Sequence, residues 1–153
     1  MRATTISLNA EVEALLTEAQ LPVADLGSSP SLSLLGIRDS SRLLGVVGVE
    51  VYGSAGMLRS LAVEPTHRNS GLGVGLVSGA ETWAADQGVE ALYLLTTTAA
   101  RFFARLGYEA VPRSEAPAVI ATTVQFSDLC PASSTFMYKA LAEKSGCRRD
   151  GAD

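Results

Sequence analysis

The amino-acid sequence predicts an α/β (α+β) domain in which helices flank a mixed β-sheet. Three apolar segments with hairpin-length connections lie within residues 33–63 and predict strands. Apolar residues then recur at helical spacing over residues 72–87. A continuous apolar run at residues 91–97 follows, as expected of a further strand that is covered on both faces. Because helices and strands alternate in this second half, the helices are expected to pack on the sheet.

The first half of the chain begins with a helix and continues with the three strands. Asn9 is a favourable N-cap for a helix over residues 10–19, in which apolar side chains recur at helical spacing. Residues 21–30 contain two prolines and a glycine, which interrupt the helical pattern. The predicted strands cover residues 33–38, 43–52 and 57–63, with turns at 39–42 and 53–56.

The second half contains two predicted helices. The helix over residues 72–87 is expected to end at Gly88, and a short helix over residues 99–106 at Gly107, because glycine often follows the last helical turn. Residues 1–142 are expected to form a single domain, and 143–153 a flexible tail. The remaining segments are a strand stub at 108–112, a helical or irregular stretch at 117–129 and a last strand at 135–141.

Composition and charge exclude several classes of protein. The 153 residues are 47% hydrophobic and carry a net charge of -4, which predicts a buried core and no nucleic-acid partner. No run reaches the roughly 18 apolar residues of a membrane helix. The N-terminus lacks the apolar core of a signal peptide, so a cytoplasmic location is expected. Cys130, Cys147 and a single histidine, His67, predict no disulfide framework and no metal site, and His67 is expected to be exposed.

The six residues from Arg68 to Gly73 connect a predicted strand to a predicted helix. Backbone N–H groups in the first turn of a helix lack acceptors inside the helix, and the helix dipole adds positive charge there. Gly71 and Gly73 remove Cβ atoms from this approach, and Arg68 adds a planar cation that suits phosphate. The segment therefore predicts a binding site for a phosphorylated ligand.

The spacing within this loop excludes two common phosphate sites. A nucleoside triphosphate loop requires a lysine, and none lies nearby. A dinucleotide fingerprint requires a third glycine where Leu76 stands, and Gly75 comes one residue early. What remains is Arg-x-x-Gly-x-Gly after a Val-x-Pro turn. This pattern resembles the acetyl-coenzyme A loop of the GCN5-related N-acetyltransferase (GNAT) superfamily.

Two further stretches narrow the resemblance. The run Leu-Leu-Thr-Thr-Thr-Ala at 94–99, followed by Phe-Phe-Ala-Arg-Leu-Gly-Tyr at 102–108, resembles the second motif of the superfamily. Together with residues 58–63 and the Leu-Cys-Pro run around Cys130, it is similar to acetyltransferases associated with arsenic-resistance operons. The resemblance spans residues 43–141. It implies acetyl-CoA-dependent N-acetylation of a small primary amine, for which an arsenical or related amino-acid analogue is one candidate. For Cys130 a buried structural role is favoured over contact with arsenic.

The resemblance also implies a fold and a set of cofactor contacts. The expected sheet is mostly antiparallel, flanked by helices and splayed between the fourth and fifth strands. The backbone of Leu61, Ala62 and Val63 would bind pantetheine there, and that of Val63 would polarise the thioester carbonyl. Arg68 would lie beside the diphosphate, and Phe102 and Arg105 would flank the other side of the cofactor. The diphosphate would bind backbone N–H groups of Asn69, Ser70, Gly71, Leu72, Gly73 and Val74.

The general acid and base are not defined by these motifs. Many members of the superfamily carry a tyrosine four residues before the Gly-aromatic pair as the acid, but Phe103 stands here and has no proton to donate. The thiolate can leave unaided, because the pKa of a thiol is about 8.5; otherwise the acid is Tyr138, Cys130 or a water. The base is Glu50 or a water chain. Glu50 interrupts a valine-rich strand, and an exposed outer face is favoured for it over a cavity.

Polar residues near the predicted site are candidates for binding the acceptor. Arg59 or Arg113 could hold an acceptor carboxylate by a bidentate contact, although Arg59 could equally be a surface or salt-bridged residue. Alternation places Arg59 on the same face as Val63 unless a bulge intervenes. Thr96 and Thr97 end a strand where ligands often bind in α/β sheets, and either could instead cap the next helix.

Two alternatives to turnover on a small amine remain open. Phe103 and the lack of an evident base are also compatible with an acetyl-CoA-binding sensor or regulatory module without turnover. Modification of a protein terminus would need an open acceptor groove, which the sequence does not reveal. A homodimer is one expected arrangement, because relatives in the superfamily are often dimers.

Overall fold

The protein contains a seven-stranded sheet with accompanying helices. The structure is a computed structural model and describes residues 3–19, 21, 32–67, 71–97, 99–121 and 134–141. The strands are β1 (Thr4–Ile6), β2 (Leu32–Asp39), β3 (Arg42–Tyr52), β4 (Ala55–Val63), β5 (Ala91–Thr96), β6 (Glu109–Ala110) and β7 (Thr135–Ala140). The helices are α1 (Ala10–Glu18), α2 (Leu72–Asp86), α3 (Ala100–Arg105) and α4 (Ala118–Ala121), with 3₁₀ turns at Pro65–His67 and Arg113–Glu115.

The strand order in the sheet is β1-β2-β3-β4-β5-β7-β6. Strand β2 pairs antiparallel with β1 and with β3, and β7 pairs antiparallel with β5 and with β6. Strands β4 and β5 are parallel, with Ala55 opposite Ala91 and Met57 opposite Tyr93. The predicted α/β class with a mixed, mostly antiparallel sheet is therefore confirmed.

The predicted elements agree with the observed ones to within about two residues at their ends, which is the usual uncertainty of a boundary. Strand β1 has no counterpart in the prediction, because its three residues carry too little pattern and depend on pairing with β2. Parts of three predicted segments lie outside the described residues. They are the two prolines of the stretch 21–30, the later part of the stretch 117–129 and the tail at 143–153. The described residues belong to two compact units, the first within Met1–Glu50 and Leu58–Ala80, the second within Val51–Met57 and Glu81–Asp153.

In the first unit, polar contacts at the start of α1 fix the helix to a hairpin. The side chain of Asn9 accepts a hydrogen bond from the backbone N of Val12 at 3.0 Å, as predicted for an N-cap. Glu11 accepts from Nη1 of Arg38 at 2.9 Å and from the backbone N of Leu43 at 2.8 Å, which ties α1 to the β2–β3 hairpin. Buried apolar side chains of this unit pack in a cluster, which contains Val12, Leu15, Leu16, Leu34, Leu43, Val46 and Ala62.

In the second unit, β5 is covered unequally on its two faces. Leu92 and Leu94 are buried, whereas Tyr93 is half-buried and stacks on Phe136 and Tyr138 with ring centroids 5.7 Å apart in each pair. The predicted strand is observed, and the second of its two faces is only partly covered. The cause is the aromatic side chains, which cover the second face of β5 but remain partly open to solvent.

In the second unit, Glu81 on α2 forms a polar cluster with Tyr108 and Lys139. The Tyr108 hydroxyl donates to Oε2 of Glu81 at 2.9 Å. Nζ of Lys139 donates to both Glu81 oxygens at 3.1 Å and to the carbonyl oxygen of Leu106 at 2.9 Å. Burial, with the adjacent Glu81 carboxylate, raises the pKa of Tyr108 well above its ordinary value. The tyrosine therefore acts as a hydrogen-bond donor throughout the physiological range.

The end of α2 provides a test of the predicted helix stop. Gly88 has φ of +92°, and Val89 donates its backbone N–H to Ala84 at 3.0 Å, as in a Schellman motif. We expect Gly88→Ala to lower the free energy of unfolding by about 1 kcal/mol, because a Cβ is strained at this φ. Gly88→Asn should lose less, since asparagine tolerates this conformation. Urea denaturation measures both.

The neighbouring Gln87→Ala is the matched control for this helix end, because Gln87 is exposed. Its free energy of unfolding should stay within about 0.5 kcal/mol of the wild type. Equal stability of the Gly88→Ala variant and the wild type would show that φ at this position is not fixed as described.

Candidate functional site

Strand β4 departs from a regular extended backbone at Ser60. This residue has φ of +59°, in the left-handed region that costs a non-glycine residue roughly 1–2 kcal/mol, and it is buried. Beyond it Leu61 and Val63 are half-buried and Ala62 is buried. One left-handed residue within a strand is typical of a β-bulge. The simple alternation that would place Arg59 on the same face as Val63 is therefore interrupted.

Glu50 and Arg59 form an ion pair in the interior of the first unit. Nη1 of Arg59 donates to Oε2 of Glu50 at 3.1 Å. The side chain of Arg59 is 0% exposed and that of Glu50 is 4% exposed. Nε of Arg59 also donates to the hydroxyl of Ser60 at 3.1 Å. The expectation of an exposed Glu50 is wrong, because the cationic partner on β4 allows the carboxylate to be buried. For Arg59 the salt-bridged alternative is the observed one.

Glu64 organises the turn that follows β4. Its carboxylate accepts hydrogen bonds from the hydroxyl and the backbone N of Thr66, and it lies 3.0 Å from Nδ1 of His67 and 2.5 Å from Nη2 of Arg42. The hydrogen bonds from Thr66 and His67 lower the pKa of Glu64 to about 2. His67 is partly exposed, as expected, and the Glu64 carboxylate holds its imidazole ring in the turn. The carboxylate fixes the 3₁₀ turn that leads toward the loop.

The first turn of α2 begins at a glycine with a left-handed backbone. Gly71 has φ of +88°, and its carbonyl accepts from the backbone N of Gly75 at 3.0 Å, so Gly71 is the N-cap of the helix. No described atom lies within 4 Å of a Cβ built at Gly71. The next three residues, Leu72, Gly73 and Val74, occupy helix positions whose N–H groups lack intrahelical acceptors. Val74 is 46% exposed. The other predicted loop residues, Arg68, Asn69 and Ser70, lie outside the described residues.

In the second unit, α3 carries the predicted aromatic and basic residues. Phe103 is buried and packs edge-on against Phe102 and Tyr108, with centroids 5.1 and 5.6 Å away. Phe102 is half-buried and Arg105 is exposed. The ring that replaces the superfamily's tyrosine is therefore a core side chain of this unit, and it brings no hydroxyl to the site.

The remaining candidates for acceptor and acid belong to the second unit. The Thr96 hydroxyl accepts from the backbone N of Ala99 at 2.9 Å, so it stabilises the turn before α3, although the N-cap Ala99 itself has no side-chain capping bond; Thr97 is exposed. Nη2 of Arg113 lies 3.5 Å from the carbonyl oxygen of Ser134. Tyr138, a candidate acid, is half-buried and stacked on Tyr93, while Cys130 lies outside the described residues.

A cavity that the sequence motifs do not indicate lies beside β1 and β2. It has a volume of about 340 Å³, and its lining combines hydroxyl groups with aliphatic side chains. The residues that line the cavity are Thr5, Ile6, Ser7, Leu8, Leu32, Ser33 and Leu34.

Within the part of the chain that the structure describes, no cluster of three or more His, Cys, Asp or Glu side chains suits a metal ion. No helix in the same part is long and apolar enough to cross a membrane.

Comparison with known proteins identifies relatives of this fold. Residues 5–108 match the Acetyltransferase (GNAT) family. The amino-acid acetyltransferase of Pseudomonas fluorescens (strain Pf0-1) is 38% identical over 72 residues, which cover 47% of this chain and 17% of that protein. The chain thus spans less than a fifth of the length of this curated relative.

Solved structures with low sequence identity share the fold. N-acetylglutamate synthase from Neisseria gonorrhoeae, complexed with coenzyme A and N-acetyl-glutamate, aligns with a TM-score of 0.75 at 18% identity. The alignment covers 94% of this chain and 36% of the synthase chain. An aminoglycoside 6'-N-acetyltransferase complexed with coenzyme A aligns with a TM-score of 0.70 at 17% identity, covering 95% and 100% of the two chains. The predicted GNAT fold is confirmed.

The carboxylate of Glu64 gives the turn after β4 a defined pH dependence. A pKa lowered from 4.5 to about 2 stabilises the folded state above pH 4.5, and this contribution is lost as the pH falls toward about 2. We expect the melting temperature of Glu64→Gln to lie below that of the wild type at neutral pH. The gap should narrow between pH 4.5 and 2, as thermal melts at a series of pH values would measure.

Glu109→Gln is the control, because Glu109 is also an acid but is exposed on β6. Its melting temperature should follow the wild type across the same series. A gap for Glu64→Gln that stays constant down to the lowest pH would contradict the assigned role of the ionised carboxylate.

Proposed function

This chain belongs to the acetyltransferase (GNAT) family, and we propose that it is an acetyl-CoA-dependent N-acetyltransferase acting on a small primary amine. The observation that carries the proposal is the start of α2. There Gly71 caps the helix without a side chain, and the N–H groups of Leu72, Gly73 and Val74 lack acceptors inside the helix, so they could bind an anion. We take residues 1–142 as one acetyltransferase domain, followed by a tail at 143–153.

The cofactor in this proposal is acetyl-CoA, and its diphosphate binds the start of α2. Backbone donors suit a diphosphate because each hydrogen bond to a charged group contributes about 1.5–3 kcal/mol. As the family resemblance implies, Arg68 would supply positive charge, and Asn69 and Ser70 would contribute further backbone N–H donors. Solved relatives of the fold contain coenzyme A, which supports this choice of ligand. Phe102 and Arg105 remain assigned to the cofactor through the family resemblance.

The thioester arm would follow the backbone of Leu61, Ala62 and Val63, and the Val63 backbone would polarise the carbonyl. An amine attacks this carbonyl carbon, the C–S bond breaks, and coenzyme A leaves as a thiolate that takes up the proton lost by the amine. A well-placed donor to the developing oxyanion is worth about 3 kcal/mol in other enzymes. This contribution uses main-chain atoms and therefore does not depend on a particular side chain.

Proton transfer in the proposed reaction is assigned to water. Glu50 is bonded to Arg59 in the interior and is therefore not the proposed base, and a water chain can carry the proton from the amine. Phe103 cannot protonate the leaving group, but the pKa of a thiol is low enough for it to leave as thiolate near neutral pH. The rate should then rise with pH until the acceptor amine is largely neutral.

The acceptor in this proposal is an amino acid or an amino-acid analogue. The relative from Pseudomonas fluorescens is named as an amino-acid acetyltransferase, and the synthase structure contains N-acetyl-glutamate. An arsenical amino acid falls in the same chemical class, and the Leu-Leu-Thr-Thr-Thr and Leu-Cys-Pro runs support it as a candidate. Arg113 is the side chain assigned to the acceptor carboxylate, and Thr97 is assigned to its polar groups.

Loop variants test the proposed diphosphate site. Gly73→Leu places a side chain over the N–H groups while improving helix propensity by about 1 kcal/mol, so lost affinity would not reflect a weakened helix. We expect this change and Arg68→Ala each to weaken coenzyme A binding about 10-fold, because each removes roughly 1.4 kcal/mol. Isothermal calorimetry measures the affinities. Gly75→Ala is the control, because a Cβ there makes only an ordinary contact of 3.8 Å with Ile37.

Unchanged affinity in the combined Arg68→Ala and Gly73→Leu variant would overturn the diphosphate site. Turnover is tested separately by thiol release from acetyl-CoA in the presence of amino acids, arsenical amino-acid analogues and amines without a carboxylate. We expect release with at least one amino-acid acceptor and a raised KM for it in Arg113→Met. Tight cofactor binding with no release from any acceptor would instead favour a sensor.

A further inference from the structure

Burial of the Glu50–Arg59 ion pair costs free energy of desolvation, which a purely stabilising role in the first unit does not explain. Removing two charges from water carries a desolvation penalty of several kcal/mol per ion, and well-packed apolar side chains are often at least as stable. Yet the Arg59 side chain is fully buried and that of Glu50 is 4% exposed. The position of this pair beside an unusual backbone conformation indicates a different role.

The unusual backbone is at Ser60, the residue that follows Arg59. Its φ of +59° is unfavourable for a serine and persists only where neighbouring groups hold it. Nε of Arg59 donates to the Ser60 hydroxyl at 3.1 Å, and Nη1 of the same guanidinium donates to Glu50 on β3 at 3.1 Å. One planar group thus connects the neighbouring strand to the bulge.

We propose that Glu50 and Arg59 are positioning residues that hold the Ser60 bulge and thereby aim the backbone of residues 61–63 at the thioester arm. The inference rests on the proposed function, because it concerns the same stretch of β4. Glu50 orients the guanidinium, the guanidinium holds the Ser60 hydroxyl, and the φ of Ser60 sets the direction of the next three residues. Neither charged side chain touches a reactant.

Arginine is suited to this task where lysine is not. Its fork presents Nε and Nη1 in a fixed plane, so it can bond an acceptor on each side at once. A lysine could preserve the charge opposite Glu50, but its three donors diverge from one nitrogen atom on a flexible chain and do not hold two acceptors in one fixed plane. Arg59→Lys therefore separates the electrostatic role of the pair from its geometric role.

The decisive variant is the double change Glu50→Met and Arg59→Met. It removes both charges together, so no unpaired charge is buried and the fold should be retained. Without the guanidinium the Ser60 bulge is no longer held, and a displacement of about 1 Å can cost about 100-fold in rate. We expect kcat to fall about 10- to 100-fold, with coenzyme A affinity and the acceptor KM changed less than about 3-fold. Arg59→Lys should show the same loss in kcat.

A second readout does not depend on turnover. The backbone amide resonances of residues 60–63 should shift in the double variant and in Arg59→Lys, as heteronuclear NMR of the labelled protein would detect. The matched control is Glu81→Met with Lys139→Met, which removes a partly buried pair at 3.1 Å in the second unit. This control should leave those four resonances and kcat unchanged while altering stability.

The outcomes separate the inference from the proposed function. Wild-type kcat and unshifted resonances in the double variant would overturn the positioning role. Should the double variant not fold, Arg59→Lys decides, because its retained charge avoids a buried unpaired carboxylate. Should the wild type show no turnover with any acceptor, the proposed function fails, and the resonances of residues 60–63 alone decide whether the pair holds the bulge.

Discussion

The left-handed backbone at Ser60 is the constraint on which the candidate site depends. Side chains alternate between the two faces of a strand, so a shift of one residue exchanges the faces of everything that follows. Leu58 and Ala62 are both buried on either side of Ser60, which fixes the strand before and after the bulge. This packing and the hydrogen bond from Arg59 to the Ser60 hydroxyl together offset the cost of the left-handed conformation. The backbone that leads into the turn is therefore held in one direction before any ligand arrives.

Two glutamates near this strand have different surroundings but similar roles. Glu50 lies in the interior, bonded to Arg59, while Glu64 lies in an exposed turn and bonds to Thr66. Glu64 holds a backbone N–H directly, whereas Glu50 bonds the guanidinium that in turn bonds the Ser60 hydroxyl. A site made mainly of main-chain groups tolerates many side-chain replacements, since N–H groups are common to nearly all residues.

The parts of the fold that follow from local patterns are predictable from the sequence. The cap at Asn9, the helix stop at Gly88 and the strands β2 to β5 depend on nearby residues, and the structure confirms them. Strand β1 depends on pairing with a distant segment, so its three residues carry no signal of their own. The burial of Glu50 requires a partner nine positions away on another strand. Serine gives no indication of a positive φ, and the bulge is therefore visible only in the structure.

Cofactor binding and the choice of acceptor depend on different groups of atoms in the proposed site. Under the proposed function, main-chain donors bind the diphosphate and the thioester, and such groups carry no information about the amine. Selection must come from side chains, and the ion pair with Glu50 commits Arg59 to the interior. Arg113 bonds the Ser134 carbonyl at 3.5 Å, the long limit for a hydrogen bond. Under the proposed function, a carboxylate would add a charge-assisted bond to this guanidinium, and such a contact distinguishes an amino-acid acceptor from an amine without a carboxylate.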